Sequence, residues 1–123
     1  MGIVVDMLDF MVADAETDDP RLDIARRNIR VAVALRGTNF AETARQAGLS
    51  RNAVAQFVKG RTSMSYANML RVCDVLDIPL GALHQPDAIT EQRLRLHKIL
   101  QRLPDHLLAP ALEAALRNAP PQD

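Results

Sequence analysis

Residues 39–59, NFAETARQAGLSRNAVAQFVK, decide the fold of this chain. They read as two short helices joined by a tight turn: Asn39 to about Ala47, then Gly48-Leu49-Ser50, then Arg51 to about Lys59, with Gly60 behind it. Asn39 is an N-cap with Glu42 three residues on, the spacing of a capping box. Ala44 and Ala47 are small enough for the second helix to cross close above the first. Gly48 supplies the positive φ of the turn, where a Cβ costs about 1 kcal/mol. Leu49 is expected to point inward, and Ser50 to cap the next helix.

In that second helix Val54 and Phe57, with Ala53 or Val58, make a narrow buried face. Arg51, Asn52, Ala55, Gln56 and Lys59 are left outward, and this outward set contains no acid. Arg, Asn and Gln side chains make bidentate contacts with guanine and adenine edges, and Ala55 leaves room for a thymine methyl. A helix-turn-helix can offer its second helix to the major groove of DNA. The first turn of that helix, at Arg51, enters foremost.

The flanks extend the helical reading. Upstream, Asp19-Pro20 opens a helix with an acidic N-cap and Pro at its first position. Leu22, Ala25, Ile29 and Val33, with Ala32 beside them, form its apolar stripe, and Gly37 closes it. Arg26, Arg27 and Arg30 sit off the stripe, where solvation competes with phosphate contact. Downstream, Arg61-Thr62-Ser63 is a polar loop. Ser65 caps a helix from Tyr66 to Leu76, whose free N–H groups at Ser65-Tyr66 can meet a phosphate. Leu70, Cys73 and Ala67, with Met69, Val72 and Leu76, are its expected inner faces. Asp77-Ile78-Pro79 stops it, and Pro79 to Leu83 begins a short fifth helix.

Residues 87–103, capped by Asp87 or Thr90, and 105–118, kinked or restarted at Pro110, are further helical segments. They carry the leucine stripe Leu96, Leu100, Leu103, Leu108, Leu112 and Leu116. That stripe must be covered, either by the chain's own domain or by a second copy. At the other end, residues 3–12, IVVDMLDFMV, place Val4, Met7, Leu8 and Met11 at helical spacing, although Ile3-Val4-Val5 also permits a short strand. An acidic linker follows.

The bulk composition agrees. The 123 residues are rich in Ala, Leu and Arg, with one Tyr and no Trp, which favours an all-α protein. The net charge of zero hides segregation. Residues 1–20 hold six acids and no base; residues 21–71 hold ten bases against Asp23 and Glu42; residues 72–123 hold five bases and seven acids. A basic middle third suits a polyanion. A single cysteine, Cys73, excludes an internal disulfide and a multi-Cys zinc site, and reads as a core thiol. His84, His97 and His106 lack a ligand spacing, so no metal and no cofactor is expected. No nucleophile–base–orienter set and no phosphate-loop motif is visible, so the chain does not read as an enzyme. No apolar run approaches a membrane span, and no basic n-region precedes an apolar stretch, so the expected location is cytoplasmic.

Residues 23–83 resemble the phage-repressor-like helix-turn-helix family of the Cro/Xre type. The resemblance rests on the string ETARQAGLSRNAVAQFVKGRTSMSYANMLRVCDVLDIPLGAL and on the spacing of Ala44, Gly48, Leu49, Ser50, Val54, Phe57 and Gly60. It implies a five-helix domain that binds double-stranded DNA as a homodimer on a palindromic operator. By the same resemblance Arg51, Asn52 and Gln56 match base-reading positions, and Ser50, Lys59, Arg61, Ser63 and Ser65 match phosphate-contacting neighbourhoods. The family often has Gln at the start of its second helix to bond a phosphate; here Phe40 stands there, and Asn39 or Thr38 would have to supply that contact.

The expected layout is an acidic amphipathic segment and linker at 1–18, a DNA-binding domain at 19–84, a dimerisation segment at 85–118 and a disordered tail at 119–123. The expected function is a sequence-specific transcription regulator, a repressor that acts by occupying a promoter. Two rivals remain. One is an antitoxin-type regulator that grips a toxin through its apolar N-terminal segment. The other is a protein-interaction module of the same fold without DNA binding.

Overall fold

The computed structural model describes residues 19–121. The amphipathic element expected at 3–12, its linker, and the roles suggested for them lie outside the described residues, as do the last two residues of the tail. The described residues are helical, with no strand: α1 (Pro20–Leu35), α2 (Phe40–Gln46), α3 (Ala53–Val58), α4 (Tyr66–Leu76), a single 3-10 turn (Leu80–Ala82), α5 (Glu91–Arg102) and α6 (Asp105–Asn118). The chain forms two compact units, one running through Thr90 and one starting at Glu91.

In the first unit the helix ends follow from local chemistry. The Asp19 carboxylate accepts the Arg21 backbone N–H at 2.9 Å, and Pro20 opens α1, where its missing N–H costs nothing. Asn39 Oδ1 accepts the Glu42 N–H at 2.8 Å. The reciprocal half of the capping box is not made: the Glu42 carboxylate turns outward to Arg45 and Gln46 instead. Ser65 Oγ accepts the Asn68 N–H at 3.1 Å to start α4. Four successive helices end in the same two-bond closure, 6→1 plus 5→2, at Gly37, Gly48, Gly60 and Asp77. Gly48 has φ +73°, and Asp77, without the freedom of a glycine, still takes φ +54°.

α3 packs on α1 and α2, and α2 on α4. Ile29, Ala32 and Val33 of α1, Ala44 of α2, Val54, Phe57 and Val58 of α3, and Val72, Cys73 and Leu76 of α4 form the core. Val58 is therefore the third member of the α3 face, and Ala53 is half-buried. Cys73 is buried, and burial raises its thiol pKa to about 11, so it is a core thiol.

Several details correct the sequence reading. Ser50 does not cap α3 with its hydroxyl. Arg51 and Asn52 form a turn in which the Ser50 carbonyl accepts the Ala53 N–H at 3.0 Å, and α3 proper begins at Ala53. In α4 the buried positions are Met69, Val72, Cys73 and Leu76, while Ala67 and Leu70 are exposed. The segment YANMLRVCDVL offers two overlapping apolar stripes, and packing selects one. The fifth helix is reduced to the Leu80–Ala82 turn. Asn28, a polar residue on the buried side of α1, donates through Nδ2 to the carbonyls of Leu83 and Gln85, the latter at 3.0 Å, and so fastens that turn.

The second unit consists of α5 and α6, joined at Leu103-Pro104. α5 starts at Glu91, directly after Thr90. Asp87 lies in the preceding turn with φ +55°, four residues before Glu91. α6 runs through Pro110 without a break. Leu96 and Leu100 on α5, and Leu108, Leu112 and Leu116 on α6, are all exposed, with Ile99 and Leu107 beside them; Leu103 is half-buried.

Candidate nucleic-acid interface

α3 buries Val54, Phe57 and Val58 and turns its other side outward. Arg51 and Asn52 are exposed and Ala55 and Gln56 half-buried, so the expected base-reading set is accessible on the helix–turn, and Lys59, expected at a phosphate, is exposed just after it. The α3 N-cap, Asn52, makes no side-chain capping bond. Its amide is therefore not committed to its own helix, which suits a residue that must pair with an adenine edge.

Around that face the other expected residues fall into three places. Asn39 and Arg51 line one cleft with Ala41, Glu42, Arg45 and Leu49. Asn39 Oδ1 is engaged by the Glu42 N–H, which leaves its Nδ2 hydrogens for an acceptor such as phosphate. Lys59 and Gly60 line a second cleft with Arg27, Arg30 and Val31 of α1, where both arginines are exposed. Ser50, Arg61, Ser63 and Ser65 are exposed on the turn before α3 and the loop after it. The Ser65 hydroxyl accepts its capping bond, so its own proton remains free to donate outward. Tyr66 is 72% exposed at the start of α4 and lines a separate cleft with Leu22, Ala25, Met69, Leu80 and Leu83 and with the polar Asp19, Arg21 and His84.

Two acids border this face: Asp23 lines the cleft with Lys59, and Glu42, to which the sequence reading gave only a capping role, lines the cleft with Arg51. Arg45 Nε donates to Glu42 Oε2 at 2.9 Å, and Gln46 Nε2 donates to its Oε1, also at 2.9 Å. The hydrogen bonds from Arg45 first, then from Gln46, bring its pKa from 4.5 down to about 2. Asp19, held by the Arg21 side chain and then by the Arg21 backbone N–H, falls from 3.8 to about 2. Both folded-state values lie below the ordinary ones. The stability these groups contribute is thus complete above about pH 4.5, and is lost as the pH falls towards 2. Thermal melts between pH 5 and 2 are expected to fall more steeply for the native chain than for Asp19→Asn/Glu42→Gln. Parallel profiles would contradict the two pairings.

Comparison with known families gives a matching result over this region. Residues 28–85, just under half of the chain, match the model of the Cro/C1-type HTH DNA-binding domain. Over those residues the chain is similar to a Cro/C1-type helix-turn-helix domain. Comparisons with curated proteins and with solved structures gave no match. The matched residues hold α2, α3 and α4 whole, and they start inside α1 at Asn28, the side chain that fastens the end of the domain. The matching model is that of a DNA-binding domain, and the exposed, acid-free side of α3 lies within the matched residues. Among the described residues no group of three or more His, Cys, Asp or Glu is placed to hold a metal, and no helix is long and apolar enough to cross a membrane.

Arg26 is the residue of this region that sequence reasoning misplaced. Its side chain is only 12% exposed, and it donates to the backbone at the end of α3 rather than facing solvent. The signal was its spacing: position 26 is four residues after Leu22 and three before Ile29, so it lies on the edge of the buried stripe.

Proposed function

We propose that this protein is a transcriptional repressor that binds a palindromic operator as a homodimer and represses by covering a promoter. The carrying observation is the outward side of α3, where Arg51, Asn52, Ala55, Gln56 and Lys59 lie within a family-matched DNA-binding domain and no acid interrupts them. In this reading Arg51 and Asn52 enter the groove first, Gln56 follows one turn later, and Ala55 lies against a thymine methyl. Asn39, Ser50, Lys59, Arg61, Ser63, Ser65 and the N-terminus of α4 at Tyr66 hold phosphates and set the register.

The dimer reading rests on the second unit. Leu96 and Leu100 stand at i and i+4 on α5 with Leu103 directly after its end, and Leu108, Leu112 and Leu116 stand at i, i+4 and i+8 on α6. Five of these six are exposed in the single chain. Contiguous apolar surface of this kind marks an association site, and two half-sites need two readers. The layout is then a DNA-reading unit and a separate dimerisation segment, with residues 1–18 and the tail outside both.

Selection of bound fragments from random DNA tests this reading. An inverted repeat with half-site centres about one helical turn apart is expected; a single unrepeated motif would contradict the dimeric reader. On the selected duplex, Arg51→Ala is expected to relax preference at one base pair per half-site by about 1–3 kcal/mol. Lys59→Ala is expected to weaken all sequences alike and to flatten the log–log salt slope by about 0.9 per phosphate lost in each half-site. If Arg51→Ala instead weakens every sequence equally, Arg51 holds a phosphate.

A further inference from the structure

Arg26 stands on α1, yet its guanidinium is committed to α3 and the loop behind it. Nε donates to the Phe57 carbonyl at 2.8 Å, and Nη2 to the Thr62 carbonyl at 3.4 Å. Nη1 pairs with Asp23 at 3.1 Å, and the guanidinium carbon lies 5.0 Å from the centre of the Phe57 ring. One planar group thus grips the last turn of α3, the ring that anchors it, and the far end of the loop that carries Lys59 and Arg61. A cation at a helix C-terminus also meets the favourable end of the helix dipole.

α3 has only six residues, and its cap at Asn52 adds no side-chain bond. Val54, Phe57 and Val58 hold it against α1 and α2 on its buried face, and the Arg26 guanidinium adds a polar tie at its C-terminal end. A small rotation would swing Arg51, Asn52 and Gln56 off the base edges, because bidentate pairs tolerate little misalignment. We infer that Arg26 is a positioning residue for DNA readout: without touching DNA, it sets the pose of α3 and of the Lys59–Arg61 loop and so fixes base discrimination. The inference rests on the DNA-reading function proposed above. All three arginines line the cleft beside Lys59, but Arg27 and Arg30 are exposed there, whereas the Arg26 side chain is only 12% exposed. Lysine cannot take over the role, since a single ammonium cannot bond both carbonyls and stack on the ring at once.

The test uses Arg26→Lys and Arg26→Gln in the full chain. Affinity for the selected operator and for a random duplex is measured across a salt series, at a temperature at which circular dichroism finds each variant folded. The native chain is the control for the underlying function: if it binds neither duplex in a salt-dependent way, the DNA-reading function fails whatever the variants do. With that control in place, both variants are expected to lose about tenfold in the ratio of specific to random affinity, the scale of one good bidentate contact, with the salt slope unchanged. A slope flattened in Arg26→Gln and restored in Arg26→Lys would make Arg26 a phosphate contact and overturn the inference. A lowered melting temperature with ratio and slope both unchanged would leave Arg26 a stability residue only, and would overturn it equally.

Discussion

Leu100→Asp combined with Leu112→Asp is expected to turn a dimer into a monomer and to cut operator affinity by about 10²–10⁴. Both side chains are exposed in the single chain, Leu100 at 42% and Leu112 at 59%, so the change leaves the core of the DNA-reading unit alone. Leu100 and Leu112 sit in the middle of their respective stripes, with Leu96 and Leu103 on one side and Leu108 and Leu116 on the other. A carboxylate carried into an apolar interface must be desolvated without a partner, which costs more than the contact it replaces. Once the copies part, the second half-site no longer benefits from the first being bound, and the effective concentration that joined them is lost. Sedimentation or light scattering reports the mass, and a gel shift on the selected duplex reports the affinity. Native mass and native affinity in the double variant would place the dimer contact elsewhere, or remove it.

Phe57→Ala is expected to cost about 3–5 kcal/mol of stability. Phe57 is fully buried, the largest side chain so placed, and it stands where α3 meets α1. Its loss removes transfer energy, leaves a cavity, and takes away the ring beneath Arg26. Against a total of about 5–15 kcal/mol for a typical domain, that change is large. It should lower the melting temperature by on the order of 10 °C or more and abolish operator binding near 37 °C. A loss under about 1 kcal/mol in chemical denaturation would contradict the placement of Phe57 at the centre of the core.

What the sequence disclosed, and what it did not, divides along the range of the interactions. Asp19-Pro20, Asn39 and Ser65 were legible as helix starts because a capping oxygen reaches an N–H only two or three residues away. Gly37, Gly48 and Gly60 were legible as ends because the backbone there needs a positive φ. The roles of Arg26, Asn28 and Arg36 were not legible. Each bonds a carbonyl on an element far along the chain: Arg26 to Phe57, Asn28 to Gln85, and Arg36 to Leu76 and Asp77, both at 2.8 Å. Three side chains of one helix thus secure the ends of α3, α4 and the 3-10 turn, and only the packed fold brings them there.

The finer errors have the same origin. Leu70 was expected inside because the α4 sequence supports two stripes; the surface offered by α1 and α2 decides between them. A kink or a restart at Pro110 was expected from the lost hydrogen bond; α6 does not restart there and runs on as one helix. At the candidate interface, the exposed side of α3 followed from its acid-free periodicity, whereas the neutralised Glu42 inside the Arg51 cleft did not. Ser50 was expected to cap α3, yet the chain enters α3 through a turn, with Asn52 at the N-cap position and no side-chain capping bond.

The most direct test of DNA reading by the α3 face is the affinity of the full chain for its selected duplex, measured from low to high salt. Each phosphate neutralised by Lys or Arg releases counterions, and the log–log slope is about −0.9 per phosphate. A steep negative slope is predicted, with preference for the selected duplex over random DNA persisting at the highest salt that still permits binding. A slope near zero, or no complex with any duplex, would contradict it.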